Sequence, residues 1–155
     1  MRCAWGTLRV QSAMAGFGHR RGQVLNMEVT HNFGLDEAAL SRVRELDPAG
    51  RDQLLLRLLC VFEKSIDRML IQIEQARASA DAKAVHGVAH TLKSSSAAVG
   101  ALALSRQCAV VELMARESRL DEAGDGVQRM IVEAVAARDA ARLLAAQLQA
   151  VAHTA

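Results

Sequence analysis

The chain has 155 residues, among them 29 Ala, a single Pro and no Tyr, with 3% aromatics and a formal net charge of +2. So much of the best helix former, with so little of the worst and so few strand-favouring aromatics, excludes an all-β sandwich and predicts one all-α domain. No run of about 18 uncharged apolar residues exists, which excludes a membrane span: the richest stretch, Leu54 to Phe62, is interrupted by Arg57.

Residues 1–34 carry five of the ten glycines and show no sustained period. They read as a flexible basic, Gly-rich arm ahead of a helical domain over 35–150. Arg2, Arg9, Arg20 and Arg21 stand in residues 1–26 without one acid, so the rest of the chain is net negative. The domain body is therefore not a basic nucleic-acid binder. Met27 is a sensible alternative start for the natural protein, and a chain with its own Met reads as free-standing. The first 25 residues lack the apolar block of a secretory signal. Cys3, Cys60 and Cys108 are odd in number and widely spaced, which suits a cytoplasmic protein better than a disulfide framework.

Asp36 is placed to cap a short helix through about Leu46. Asp47-Pro48 reads as the next helix start, with Asp as N-cap and Pro at the first helical position. That helix should run to about Ala78, with Leu55, Leu59, Phe62, Ile66, Met69 and Ile73 on its buried stripe. Asp81 is placed to cap a third helix that stops at Gly100. A fourth carries Leu104, Cys108, Val111 and Ala115 in register, and Gly124-Asp125-Gly126 should break it. The last reads Val127, Met130, Ala134, Ala137, Ala141, Leu144 and Leu148. Short links between long helices predict an up-down antiparallel four-helix bundle with a short N-terminal capping helix. Cys60, Cys108, Met69, Met114 and Met130 read as packing residues.

On the third helix, at 100° per residue, Val85, Val88, Ala89, Leu92 and Val99 form one apolar stripe. His90 points away from it. His86, Lys93, Ser94 and Ala97 lie within about 60° of His90. This puts an imidazole in solvent, with a cation one turn on and small residues beside it. A ring nitrogen there is a candidate nucleophile, and Lys93 is placed to neutralise an anion the ring carries.

The segment Ala89-His90-Thr91-Leu92-Lys93-Ser94-Ser95-Ser96-Ala97-Ala98-Val99-Gly100-Ala101 resembles the signature A-H-x-L-K-G-S-[SA]-x-x-x-G-A of the histidine-containing phosphotransfer (HPt) family. The similarity extends through most of residues 35–148, with Cys108 and Glu112 placed as in that family's fourth bundle helix. The resemblance implies that His90 accepts a phosphoryl group from a receiver-domain aspartate and passes it to another receiver. It implies that Lys93 stabilises the phosphoryl group, that Glu112 bonds the ring's far nitrogen, and that His86, Ala97 and Gly100 contribute to docking. The implied partners are receiver domains of hybrid sensor kinases and response regulators. The implied Mg²⁺ is theirs, and the chain itself is a monomeric carrier with no cofactor, no metal site, no ATP-binding motif and no kinase activity. The chain departs from the pattern at Ser94, where the family has Gly, which implies altered partner fit.

Two other readings remain open. One is a phosphorylation-independent helical adaptor that docks a signalling partner. The other is a metal-binding bundle, because His86 and His90 stand at i and i+4 and Glu112 offers a carboxylate. His19, His31 and His153 carry no assignment.

Overall fold

The computed structural model describes residues 33–51, 53–117 and 119–154. The expected arm lies outside the described residues as far as residue 32. The helices are α1 (Glu37–Glu45), α2 (Leu54–Ala78), α3 (Ala82–Ala98), α4 (Leu102–Arg116) and α5 (Leu120–Thr154). Helices α2 to α5 form a four-helix bundle: α2 packs on α3 and α5, and α4 packs on α3 and α5. Links as short as 79–81, 99–101 and 117–119 oblige consecutive packed helices to reverse direction.

The predicted stripes are the core. On α2, Leu59, Ile66 and Ile73 are fully buried, with Leu55, Phe62 and Met69 beside them. Each such side chain contributes about 1.5–3 kcal/mol by leaving water. Helix α5 meets them with Ala134, Ala137, Ala140, Ala141 and Ala145, all buried, so its backbone approaches its neighbours closely. Arg138 pairs with Asp67 at 3.1 Å and Arg142 with Glu63 at 2.7 Å along the outer α2–α5 seam. These exposed pairs contribute at most about 1 kcal/mol each.

Asp36 and Asp81 cap as expected, their carboxylates accepting from the amides of Ala39 and Ala84, both at 2.9 Å. Helix α3 ends with Ala101 N donating to Ser96 O and Gly100 N to Ala97 O, Gly100 holding φ +82°. This closure needs a left-handed residue after the helix, and Gly takes that conformation without a Cβ penalty. The amide of Asp36 donates to Gly100 O at 2.8 Å. That bond ties the entry of α1 to the α3–α4 corner, and α1 buries Ala39 and Leu40.

Two expected boundaries are corrected. Helix α2 begins at Leu54, not at Asp47-Pro48. Gly50, at φ +62°, turns the chain after Pro48, and Gln53 N donates back to Gly50 O. Asp47 still caps α2, but across the turn: its carboxylate accepts from Leu54 N at 3.2 Å. The expected break at Gly124-Asp125-Gly126 falls instead at 117–119, and both glycines lie inside α5. A glycine in a helix costs only about 1 kcal/mol relative to Ala. Burial of Val127 and Met130, which follow within one turn of Gly126, outweighs that. A Cβ on Gly126 would meet Met114 and Val111 of α4 at 3.6 and 3.7 Å, and Gln107 donates to Gly126 O at 3.0 Å. Tertiary packing holds the helix through its weakest local sequence.

Candidate functional site

The middle of α3 is held from both sides before any chemistry begins. Val85, Val88, Ala89 and Leu92 anchor its inner face. Buried Ser96 returns its hydroxyl to Leu92 O, and Ser105 of α4 donates to Lys93 O at 2.9 Å. The turn carrying His90 is therefore a rigid platform, and the imidazole stands out from it with 62% of its side chain exposed.

Glu112 on α4 organises the polar groups around that ring. Its Oε1 lies 2.9 Å from His90 Nδ1, and its Oε2 accepts from Lys93 Nζ at 2.5 Å. Hydrogen bonds from Lys93 first and His90 second hold the Glu112 carboxyl down from 4.5 to about 2. An ionised carboxylate only accepts, so Nδ1 carries the proton. In the neutral ring Nε2 then holds the lone pair. A single contact thus selects the tautomer and the orientation together.

A depressed carboxylate contributes stability above its ordinary range and loses it as pH falls through the folded value. The Glu112 contribution is therefore complete above about 4.5 and disappears toward 2. A carboxyl ¹³C titration should place the Glu112 midpoint near 2, and Lys93→Ala should move it up. An ordinary glutamate midpoint in the unaltered protein would refute this account.

The remaining predicted residues are placed as follows. His86 lies one turn before His90 with its ring nearly parallel, at 8° and 6.2 Å between centroids, and its Nε2 is 3.9 Å from Glu112 Oε1. Ser94 and Ala97 are exposed on the His90 face. The Ser94 hydroxyl is turned back to His90 O and Thr91 O, both at 3.2 Å, so it adds little bulk beside the ring. Gly100 is not on this face. It is buried at the α3–α4 corner against Asp36, which removes it from a docking surface and gives it a structural task. Lys93 is bonded to Glu112 and is not extended toward the open nitrogen.

Gly87 was missed from sequence. It is exposed one turn before His90, and a Cβ there would meet nothing within 4 Å. It lines a groove of about 510 Å³ between α2 and α3, with Gln72, Gln75 and Thr91. The same 100° projection that placed Ser94 also places Gly87 on the His90 face, so the signal was available.

Burial pushes the Cys108 thiol up to about 12, with the Glu112 charge adding to the effect. Cys108 is an inert packing group as expected, and Cys60 is half-buried. Among the described residues, no group of three His, Cys, Asp or Glu side chains is arranged to hold a metal ion. No helix among them is long and apolar enough to cross a membrane.

Comparison with known proteins agrees with this geometry. The Hpt domain family model matches residues 57–154. The crystal structure of histidine-containing phosphotransfer protein B (HptB) from Pseudomonas aeruginosa PAO1 superposes with a TM-score of 0.65. That likeness is at 24% sequence identity and covers 74% of this chain and 96% of that one. It establishes a shared fold. No curated protein matches the chain.

Proposed function

The chain belongs to the Hpt domain family, and from that premise we propose that His90 is the phosphoryl-carrying residue of a multistep phosphorelay. The observation that supports this most is the Glu112–His90 contact, which leaves a nucleophilic Nε2 outermost on a rigid helix.

The chemistry asked of such a residue is small. Phosphoryl transfer passes through a loose, in-line transition state, and positioning with charge neutralisation supplies most of the catalysis. His90 Nε2 attacks the phosphorus of a receiver's aspartyl phosphate. The N–P bond forms as the P–O bond to the aspartate breaks, and the aspartate leaves as a carboxylate. No proton has to move: Nδ1 keeps its hydrogen, and Glu112 offsets the positive charge that develops on the ring. Transfer to a second receiver is the reverse step with a different carboxylate.

Lys93 keeps Glu112 ionised in the resting state. A phosphoryl group on Nε2 offers its ammonium a second anion, and Lys93 is the stabilising cation. The receiver supplies the acidic pocket and its Mg²⁺, so the carrier has no cofactor of its own. The low surface formed by Gly87, Ser94 and Ala97 accepts the partner closely, in a transient interface below about 1,200 Å². Such a carrier acts as a monomer in the cytoplasm, on receiver domains of hybrid sensor kinases and response regulators.

The test is phosphotransfer profiling. At least one ³²P-labelled receiver from the source organism should pass its label to the chain within seconds to minutes. The isolated labelled chain should then pass it to a second receiver. If no receiver labels the chain, yet a signalling partner binds it stably, the adaptor reading replaces this one.

A further inference from the structure

Glu112 is served by more donors than the resting site needs. Lys93 occupies Oε2, and His90 Nδ1 occupies Oε1. His86 Nε2 stands 3.9 Å from that same Oε1, about 1 Å beyond hydrogen-bond length. Its ring is nearly parallel to that of His90, so closing the gap needs a small slide and no ring flip. The Glu112 side chain is only 18% exposed, which limits the water available to replace a lost protein donor.

On the phosphorelay reading, a phosphoryl group on Nε2 draws Lys93 toward itself. That movement leaves a half-buried carboxylate short of a donor, which is costly. We propose that His86 is a positioning residue, a reserve N–H donor to Glu112 Oε1 that keeps this carboxylate aimed at His90 Nδ1 while Lys93 and His90 engage the phosphoryl group. This deepens the phosphorelay reading and rests on it. His86 touches no reacting atom: it acts through Glu112.

Two substitutions separate the donor from the ring. His86→Phe keeps a flat ring and loses the N–H. His86→Gln loses the ring and places an amide N–H near the position of Nε2. Single-turnover transfer from a phosphorylated receiver to His90, at mildly alkaline pH where an ordinary imidazole is neutral, should slow about tenfold in His86→Phe. His86→Gln should restore it to within about twofold of the unaltered protein.

The second readout needs no receiver. With the chain phosphorylated by phosphoramidate, so that Lys93 is drawn away from Glu112, the hydrogen-bonded Nδ1–H proton of His90, followed by ¹⁵N-edited NMR, should broaden by faster exchange in His86→Phe and stay sharp in His86→Gln. Unaltered transfer and an unaltered resonance in His86→Phe would overturn the proposal. So would equal slowing in both variants with the resonance unmoved, because that pattern marks His86 as a partner contact. If the unaltered protein takes no label from any receiver, the phosphorelay reading fails, while the NMR comparison still decides the role of His86.

Discussion

His90→Gln should lose all phosphoryl label from every receiver that labels the unaltered protein, and should melt at the same temperature. The two halves of this result have separate causes. Gln has no ring nitrogen that can carry a phosphoryl group, and the other histidine on this face, His86, is beyond hydrogen-bond length of Glu112. The fold is spared because the His90 side chain is 62% exposed and belongs to no core stripe. Its amide can still donate to Glu112, so that carboxylate is not orphaned. His86 is the competing acceptor: it shares the face and the carboxylate. Its Nε2, however, is directed toward Glu112, whereas the Nε2 of His90 is on the outer side. Intact-mass analysis of acid-labile phosphate, with circular dichroism melting as the control, decides the matter. Label that persists in His90→Gln moves the acceptor to His86 and refutes the assignment.

Gly100→Ala should destabilise the fold far more than the addition of one methyl group ordinarily does. A Cβ at Gly100 would lie 2.7 Å from the Asp36 amide nitrogen and 2.8 Å from its carbonyl oxygen. Both are backbone atoms, so no flexible side chain can move aside. The residue also holds φ +82°, which strains any side chain. Together these effects cost about 2–5 kcal/mol, or a fall in Tm of roughly 5–15 °C for a chain of this size. Gly124→Ala is the matched control. It lies within a helix with nothing within 4 Å of the added methyl, and Ala there should stabilise by about 1 kcal/mol. Urea denaturation of both variants reads the difference directly. A Gly100→Ala protein as stable as the unaltered one would show that α1 and the α3–α4 corner adjust freely. The result bears on function, because a glycine two residues beyond the small-residue run 94–98 looks like part of a docking surface until its neighbours are known.

On the proposed reading, the chemistry rests on few groups. One carboxylate fixes the tautomer of His90, binds Lys93 and sits near His86. The electrostatic work is therefore done by side chains from two adjacent helices. The His90 side chain is already 62% exposed, so the proposed transfer needs no loop closure around it. Transfer rates should then depend mainly on how well a receiver fits the low surface around His90.

How much of this was legible before folding follows from the range of the interactions involved. The caps at Asp36 and Asp81, the left-handed Gly100 and the buried stripes depend on residues three to five apart, and the structure holds them where the sequence pattern puts them, save that Leu148 is only partly buried. The starts of α2 and α5 depart from the local pattern, because each depends on a more distant partner. Asp47 reaches across seven residues to Leu54 N, and Gly126 stays helical against Met114 and Val111 of α4. The His90 face divides in the same way. That His90, Lys93, Ser94, Ala97 and Gly87 share one exposed side is a consequence of helical period, so the sequence alone determines it. The register between α3 and α4 is set by core packing, and no local pattern encodes it. Only the tertiary structure decided that Glu112 meets His90 at Nδ1, takes Lys93 for its other oxygen, and leaves His86 within reach of the same carboxylate.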